Sequence, residues 1–304
     1  MAFAKKLSVS VLALVVAGCG GTNSGSGGAG AAGPAEVPLF GLVQGTQIPV
    51  SQTSTSYNLD TNALFDVSNS YFFKARDQDA FRLLRYGKPH SGFTPRRNYR
   101  IPITLSNSGG TVIGTGSATF TDPGDASVNE SGVTTRTITI TDVRLSDSIF
   151  GVFSSEDAGS RGNFHDVNAY AGGVAATGVP ASATYTGLFI GDVIAKDFGT
   201  TGTKQRIQLP TNLTVNFGGG SFTGTVGTVA APDLTMTGTI SGTSISGTVT
   251  VSSNGLPLAN GVTGSLNGGV FGAGANNIAG TVGITDATGP VRQKLIGAFG
   301  TTKN

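Results

Sequence analysis

From Ala183 to the C-terminus, Gly187, Gly224, Gly238, Gly247, Gly264, Gly280 and Gly297 each fall in the same alternating register as the large apolar residues of their own segment. The segment "ATYTGLFIGD" sets Tyr185, Gly187 and Phe189 on one side, and "TNLTVNF" does the same with Leu213, Val215 and Phe217. In "SFTGTVG" the set is Phe222, Gly224 and Val226, in "LTMTGTI" it is Leu234, Met236, Gly238 and Ile240, and in "SISGTVTV" it is Ile245, Gly247, Val249 and Val251. The pattern continues through Val262, Gly264 and Leu266, then Ile278, Gly280, Val282 and Ile284, then Leu295, Gly297 and Phe299. Alternation at period two is the mark of strands with one buried face. Glycine inside a strand loses packing area and costs backbone entropy, so its repeated use on the apolar face needs a cause. In a small closed barrel the strands coil sharply, and small residues must alternate with Leu, Ile and Phe for the interior to fill without clash. The run holds about eight such segments, the common size of a small up-and-down barrel. The expectation is an all-β chain with a C-terminal eight-stranded antiparallel barrel over residues 181–304, a two-sheet sandwich being the alternative.

The outward positions of these segments are Thr, Ser and Asn. A barrel that crosses a membrane needs an outward apolar band with aromatic girdles, so this one is expected to stand in water. Composition agrees with an all-β reading: 48 glycines, no tryptophan and 12% charged residues are what many short strands and turns require. The formal net charge of +2 gives no general reason to expect nucleic acid as a partner.

Upstream, residues 37–180 are also strand-like, in "YRIPITLSN", "TVIGTGSATF", "TTRTITITDVRL", "SIFGVFSS" and "HDVNAYAGG", each bounded by Gly, Asn or Asp turns. The stretch from Gly172 to Ala183 suits a linker between this region and the barrel. Only "DQDAFRLLRYG" offers a helical turn, with Phe81, Leu84 and Arg85 near helical spacing.

The N-terminus carries Lys5 and Lys6 ahead of an apolar run from Leu7 to Val16 that is too short to span a bilayer, and this reads as a signal peptide over residues 1–18. Val16-Ala17-Gly18-Cys19 resembles a bacterial lipobox, which makes Cys19, the single cysteine, a lipid attachment site and the first residue of the mature chain. More than one acyl chain on Cys19 gives a stable membrane anchor. Residues 19–36 are then a flexible Gly/Ser/Ala linker. Gly20 after the cysteine resembles lipoproteins sorted to the outer membrane.

With its "TGTV", "SGTV" and "TGTI" phrases, the stretch "GVFGAGANNIAGTVGI" and the closing "IGAFGT", the run from Ala183 onward resembles the C-terminal barrel of the transferrin-binding protein B superfamily. The resemblance departs from the family's hairpin at Asn277, which stands in the region of a usual glutamate, and at Ala279, which replaces the first of two glycines. It implies that residues 37–180 form a flattened "handle" sheet beside the barrel. It also implies a cell-surface lipoprotein of a Gram-negative outer membrane, a non-enzymatic monomer that captures a ligand or partner. Iron or haem acquisition, with passage to an outer-membrane transporter, is the first function it suggests. Protein interaction or adhesion toward a host or neighbouring cell, without a small ligand, is the second, and a structural lipoprotein facing the periplasm is a third.

Much of the basic character gathers between Tyr71 and Arg100, in Lys74, Arg76, Arg82, Arg85, Lys88, His90, Arg96, Arg97 and Arg100, offset only in part by Asp77 and Asp79. As a ligand site, Arg82, Arg85, Tyr86, His90, Arg96, Arg97 and Tyr99 would pair with the carboxylates or phosphates of haem propionates, an acidic partner or lipopolysaccharide. Tyr86, His90 and Tyr99 are the candidate iron ligands in the haem version. The competing reading is a solvated arginine-rich loop. No metal site and no resident cofactor are expected. His165-Asp166 is a sequence neighbour pair, but neighbours in a strand face opposite ways and form no catalytic dyad. With no nucleophile elbow, zinc-binding helix or phosphate loop, catalysis is not expected. The barrel loops expected to meet a partner are Lys196 to Gln208 and Ser252 to Gly261.

Overall fold

The computed structural model describes residues 47–48, 51–58, 63–65, 71–76, 80–85, 97–102, 104–108, 111–122, 134–159, 162–195, 204–252, 255–288 and 293–304. The chain divides into two units, Met1–Pro34, which lies outside the described residues, and Ala35–Asn304. Among the described residues of the second unit there are strands and no helix. The first six are β1 (Gln47–Ile48), β2 (Ser51–Asn58), β3 (Ala63–Phe65), β4 (Tyr71–Arg76), β5 (Ala80–Arg85) and β6 (Arg97–Pro102). Next come β7 (Thr104–Ser108), β8 (Thr111–Asp122), β9 (Thr134–Arg144), β10 (Ser148–Gly159) and β11 (Gly162–Gly173). The last eight are β12 (Ser182–Ala195), β13 (Lys204–Asn216), β14 (Ser221–Gly227), β15 (Pro232–Ser241), β16 (Ser244–Val251), β17 (Thr263–Phe271), β18 (Asn277–Asp286) and β19 (Gln293–Lys303).

Strands β12 to β19 form one closed antiparallel barrel in sequence order. Closure is made by β12 against β19, in register from Tyr185 opposite Lys303 to Ala195 opposite Gln293. The inward set is the one read from the alternation. Tyr185, Phe189, Leu213, Phe222, Met236, Leu266, Val282, Leu295 and Phe299 belong to one buried core, none more than 3% exposed. Three glycines of the same register, Gly238, Gly280 and Gly297, lie against aromatic rings, while Gly187, Gly247 and Gly264 lie closest to the backbone of the neighbouring strand. A methyl group built on Gly238 would sit 2.6 Å from Cε1 of Phe222, and one on Gly280 would sit 2.8 Å from Cε1 of Phe299. On Gly297 it would run into the ring of Phe189. Phe222 is directly opposite Gly238, and Phe299 directly opposite Gly280. The rings of Phe222 and Phe299 thus cover the bare backbone of their cross-strand neighbours, where a strand without a side chain can coil sharply. At the β15–β16 hairpin, Gly242 takes φ +60° at the first position of a two-residue turn, where a side chain would be strained.

The remaining strands build two sheets. One has the order β3-β2-β11-β10-β9-β8-β7, the other β1-β4-β5-β6. The chain crosses from the second to the first between Pro102 and Thr104, so "YRIPITLSN" is two strands in different sheets. Proline lacks an amide hydrogen and ends the pairing there. The segment expected to hold a helical turn is instead the strand β5, paired on both sides by β4 and β6. A run this short cannot sustain a helix alone, and two flanking ladders satisfy its backbone completely.

The seven-stranded sheet packs against the outside of the barrel. Its Val143, Leu145, Phe150, Val152, Val167, Ala169 and Ala171 share a second buried core with Ile190, Ile194, Phe271, Ala279, Ile296 and Ala298 of the barrel. This corrects the expectation of a uniformly hydroxyl-coated barrel: the outward positions of β12, β18 and β19 are apolar because the sheet covers them. Over β13 to β17 the expectation holds, and Thr214, Thr223, Thr237, Thr248 and Ser265 run as one exposed row around the wall.

Candidate functional site

Of the residues the sequence singled out, Cys19, Tyr86, His90 and Arg96 lie outside the described residues. Arg82 and Arg85 are positions of β5, and Arg97 and Tyr99 positions of β6. The ladder brings them into pairs: Arg85 is opposite Arg97, Leu83 opposite Tyr99, and Arg82 opposite Arg100. Strands β4 and β5 extend the pattern, with Lys74 opposite Arg82 and Tyr71 opposite Arg85. Arg82 and Arg85 are three apart, so the pleat assigns the two rows to opposite faces. His165 and Asp166 are consecutive positions of β11 and alternate in the same way.

The barrel interior is occupied by its own side chains. At one end it is closed by the segment between β16 and β17, where Leu258 is 4% exposed and Leu256 packs beside it against the core. Asp286, at the end of β18, holds that segment in place. Its carboxylate accepts from the Ala259 amide at 2.7 Å, the Thr288 amide at 2.9 Å and the Thr288 hydroxyl at 2.6 Å. Burial alone would raise the Asp286 pKa, but the donors on Ala259 and Thr288 outweigh it and hold the group below the usual carboxylate range. At the other end, the Tyr185 hydroxyl donates to the Ala275 carbonyl at 2.8 Å, and burial pushes that phenol up to about 12. Among the described residues no group of three or more His, Cys, Asp or Glu is placed to hold a metal ion.

Two polar joints fix the seven-stranded sheet to the barrel. At the β9–β10 turn, the Asp147 amide donates to Oδ1 of Asn277 at 2.8 Å and the Ser146 hydroxyl donates to the same oxygen at 3.1 Å. Nδ2 of Asn277 donates in turn to the Thr302 hydroxyl at 3.1 Å and the Asn276 carbonyl at 3.1 Å. Asp147 rests against Gly272, whose φ of +80° and missing side chain make room for it. The second joint is farther along the wall. Arg206 of β13 makes a two-pronged ion pair with the fully buried Asp192 of β12, and its Nη1 reaches Oγ1 of Thr141 on β9 at 2.6 Å. Lys204 pairs with Ser154 and, at 3.5 Å, with Glu156 of β10. Lys204 to Gln208 were expected in a loop but belong to β13, which the long β12 ladder extends to Lys204.

The sequence reading missed Asp192, Arg206 and the buried Asp142–Arg144 pair, whose Nε–Oδ2 distance is 2.9 Å. Burial holds the Asp142 carboxyl above the usual range, against the pull of Arg144. A single carboxylate inside "LFIGDVIA" was the available sign, because a charge in an apolar strand must find a partner.

The family described as the C-lobe and N-lobe beta barrels of Tf-binding protein B matches residues 178–303, which is the whole barrel and the segment leading into it. Among solved structures, a transferrin-binding protein B double mutant from Haemophilus parasuis is 15% identical with a TM-score of 0.45, covering 83% of this chain and 45% of its own. The isotype 1 transferrin-binding protein B of Neisseria meningitidis is 10% identical with a TM-score of 0.38, covering 85% and 78%. A protein described as a surface lipoprotein is 14% identical with a TM-score of 0.43, covering 84% and 100%. These scores are too low to carry an argument beyond the family match, and the chain spans less than half the length of the first of them. No curated protein matches the sequence. Residues 178–303, the eight inward-alternating strands that close β12 on β19, thus match the family of C-lobe and N-lobe beta barrels of Tf-binding protein B.

Proposed function

We propose that the chain is a non-enzymatic lipoprotein of the outer membrane, anchored through lipid on Cys19 and displayed at the cell surface, that captures a macromolecular partner in iron acquisition. Residues 1–18 are its signal peptide and residues 19–36 its tether. The observation that supports capture on the outside is the filled barrel: its inward side chains pack on one another and the Leu258 segment covers one end, so a ligand has no cradle within. The joints at Asn277 and Arg206 hold sheet and barrel together as a firm platform for a partner. The family that matches the barrel is described as part of a Tf-binding protein, which makes an iron-carrying host protein the first partner to try.

The test is to immobilise residues 35–304 and pass iron-loaded transferrin over them, while haemin is titrated separately and followed at the Soret band. Saturable transferrin binding with an unshifted haemin spectrum is the expected result. A saturable Soret shift, lost in Tyr86→Phe or His90→Ala, would replace this reading with haem capture. Absence of both would leave adhesion to another protein as the better account of the platform.

A further inference from the structure

We infer that the sheet β1-β4-β5-β6 is a separable cover on the seven-stranded sheet, one that lifts while that sheet and the barrel stay folded. β6 packs on β8 and β1 on β11, so the four strands lie across the seven-stranded sheet. They lie on the side turned from the barrel. Ile101 of β6 is fully buried and would touch a methyl group built on Gly116, which is opposite Ile140. Ile140 is three residues from the barrel-facing Val143 and so points the other way. By the same alternation Val152, Val167 and Ala169 face the barrel, while Phe153, Asn168 and Tyr170 face the cover.

The two seams differ in how their polar groups are met. Against the barrel, Asn277 answers the β9–β10 turn and Arg206 answers Thr141. Under the cover, Asn168 is fully buried, and among the described residues neither its Nδ2 nor its Oδ1 has a partner. The Ser148 hydroxyl on the barrel side is unmet too, but it is one group against a carboxamide's two donors and acceptor. Asp142 and Arg144 also face the cover, paired with each other and both buried, and mutual attraction seldom repays the loss of water around two charges. These groups regain water when the cover lifts, so its closure is opposed by what it buries. The sheet topology lets it leave as a unit. β4, β5 and β6 are consecutive, share no ladder with the seven-stranded sheet, and reach β7 through residue 103 alone. Sheets joined only by packing open below the cost of global unfolding. Arg82, Arg85, Arg97 and Tyr99 are positions of this cover, so a ligand that engages them meets an element with two states and favours the one it binds better.

Thiol labelling in the chain carrying Cys19→Ser, which has no other cysteine, reads the opening directly. Ser154 and Ser155 are neighbours on β10, 0% and 1% exposed, the first turned to the barrel and the second to the cover. Ser155→Cys is expected to react with a maleimide about tenfold faster or more than Ser154→Cys. Asn168→Leu removes the unmet amide at similar volume, and added to Ser155→Cys it should slow labelling about tenfold. Amide exchange in the unmutated protein gives the same answer without relying on the variants to fold. Amides of β5 should exchange about tenfold faster or more than those of β18 and depend more weakly on urea, because a partial opening exposes less surface. Equal labelling at the two serines, labelling untouched by Asn168→Leu, or β5 and β18 amides exchanging together would each overturn the inference.

Discussion

At the scale of single residues, the glycines of the barrel act through what lies on them. Gly297 lies beneath the ring of Phe189, and a methyl group there has nowhere to go because the ring is itself fully buried. Gly297→Ala should therefore lower stability by about 1–3 kcal/mol through overpacking, read as a lower urea midpoint with an unchanged slope. Asp286 gives a second, pH-dependent prediction. Its folded pKa is depressed, so its contribution is present above the unfolded value of about 3.9 and is lost as pH falls through the folded value. Amide exchange in the segment around Ala259 should accelerate on acidification through that window. In Asp286→Asn the segment should already exchange fast at neutral pH and respond little to acid.

At the scale of elements, strands with two different faces were legible and strands with two similar faces were not. β14 and β16 alternate between buried apolar and exposed hydroxyl positions, and their register was plain. β19 is buried at nearly every position because Leu295 and Phe299 face the barrel core while Ile296 and Ala298 face the seven-stranded sheet. Its sequence, "QKLIGAFGTTK", shows the inward set but not that a second surface would cover the outward one. The pair Asp192–Arg206 was hidden for a related reason: the residues are cross-strand neighbours, and only the register brings them together. Of the candidate ligand residues, the strand positions of Arg82 and Arg85 emerged from pairing rather than from local pattern, which had suggested a helical turn, whereas Tyr99 opens "YRIPITLSN", a segment already strand-like in the sequence. The sheet–barrel contact has a direct test in Phe150, whose ring lies on Gly300 of β19. Phe150→Ala should cost about 3–5 kcal/mol. Because that core joins both elements, sheet and barrel should still melt in a single calorimetric transition, at a lower temperature.

At the scale of the whole molecule, two cores share one set of strands. β12, β18 and β19 present one face to the barrel interior and the other to the seven-stranded sheet, so the closure of the barrel and the packing of both cores depend on β12 meeting β19. The most direct measurement is therefore a backbone NMR experiment on residues 35–304 that looks for cross-strand contacts between Gly187 and Thr301 and between Phe189 and Phe299. Closure predicts those contacts, together with slow amide exchange along both strands. If β12 and β19 instead exchange fast as free edges and show no contact with each other, the wall is open and the closed, packed barrel is contradicted.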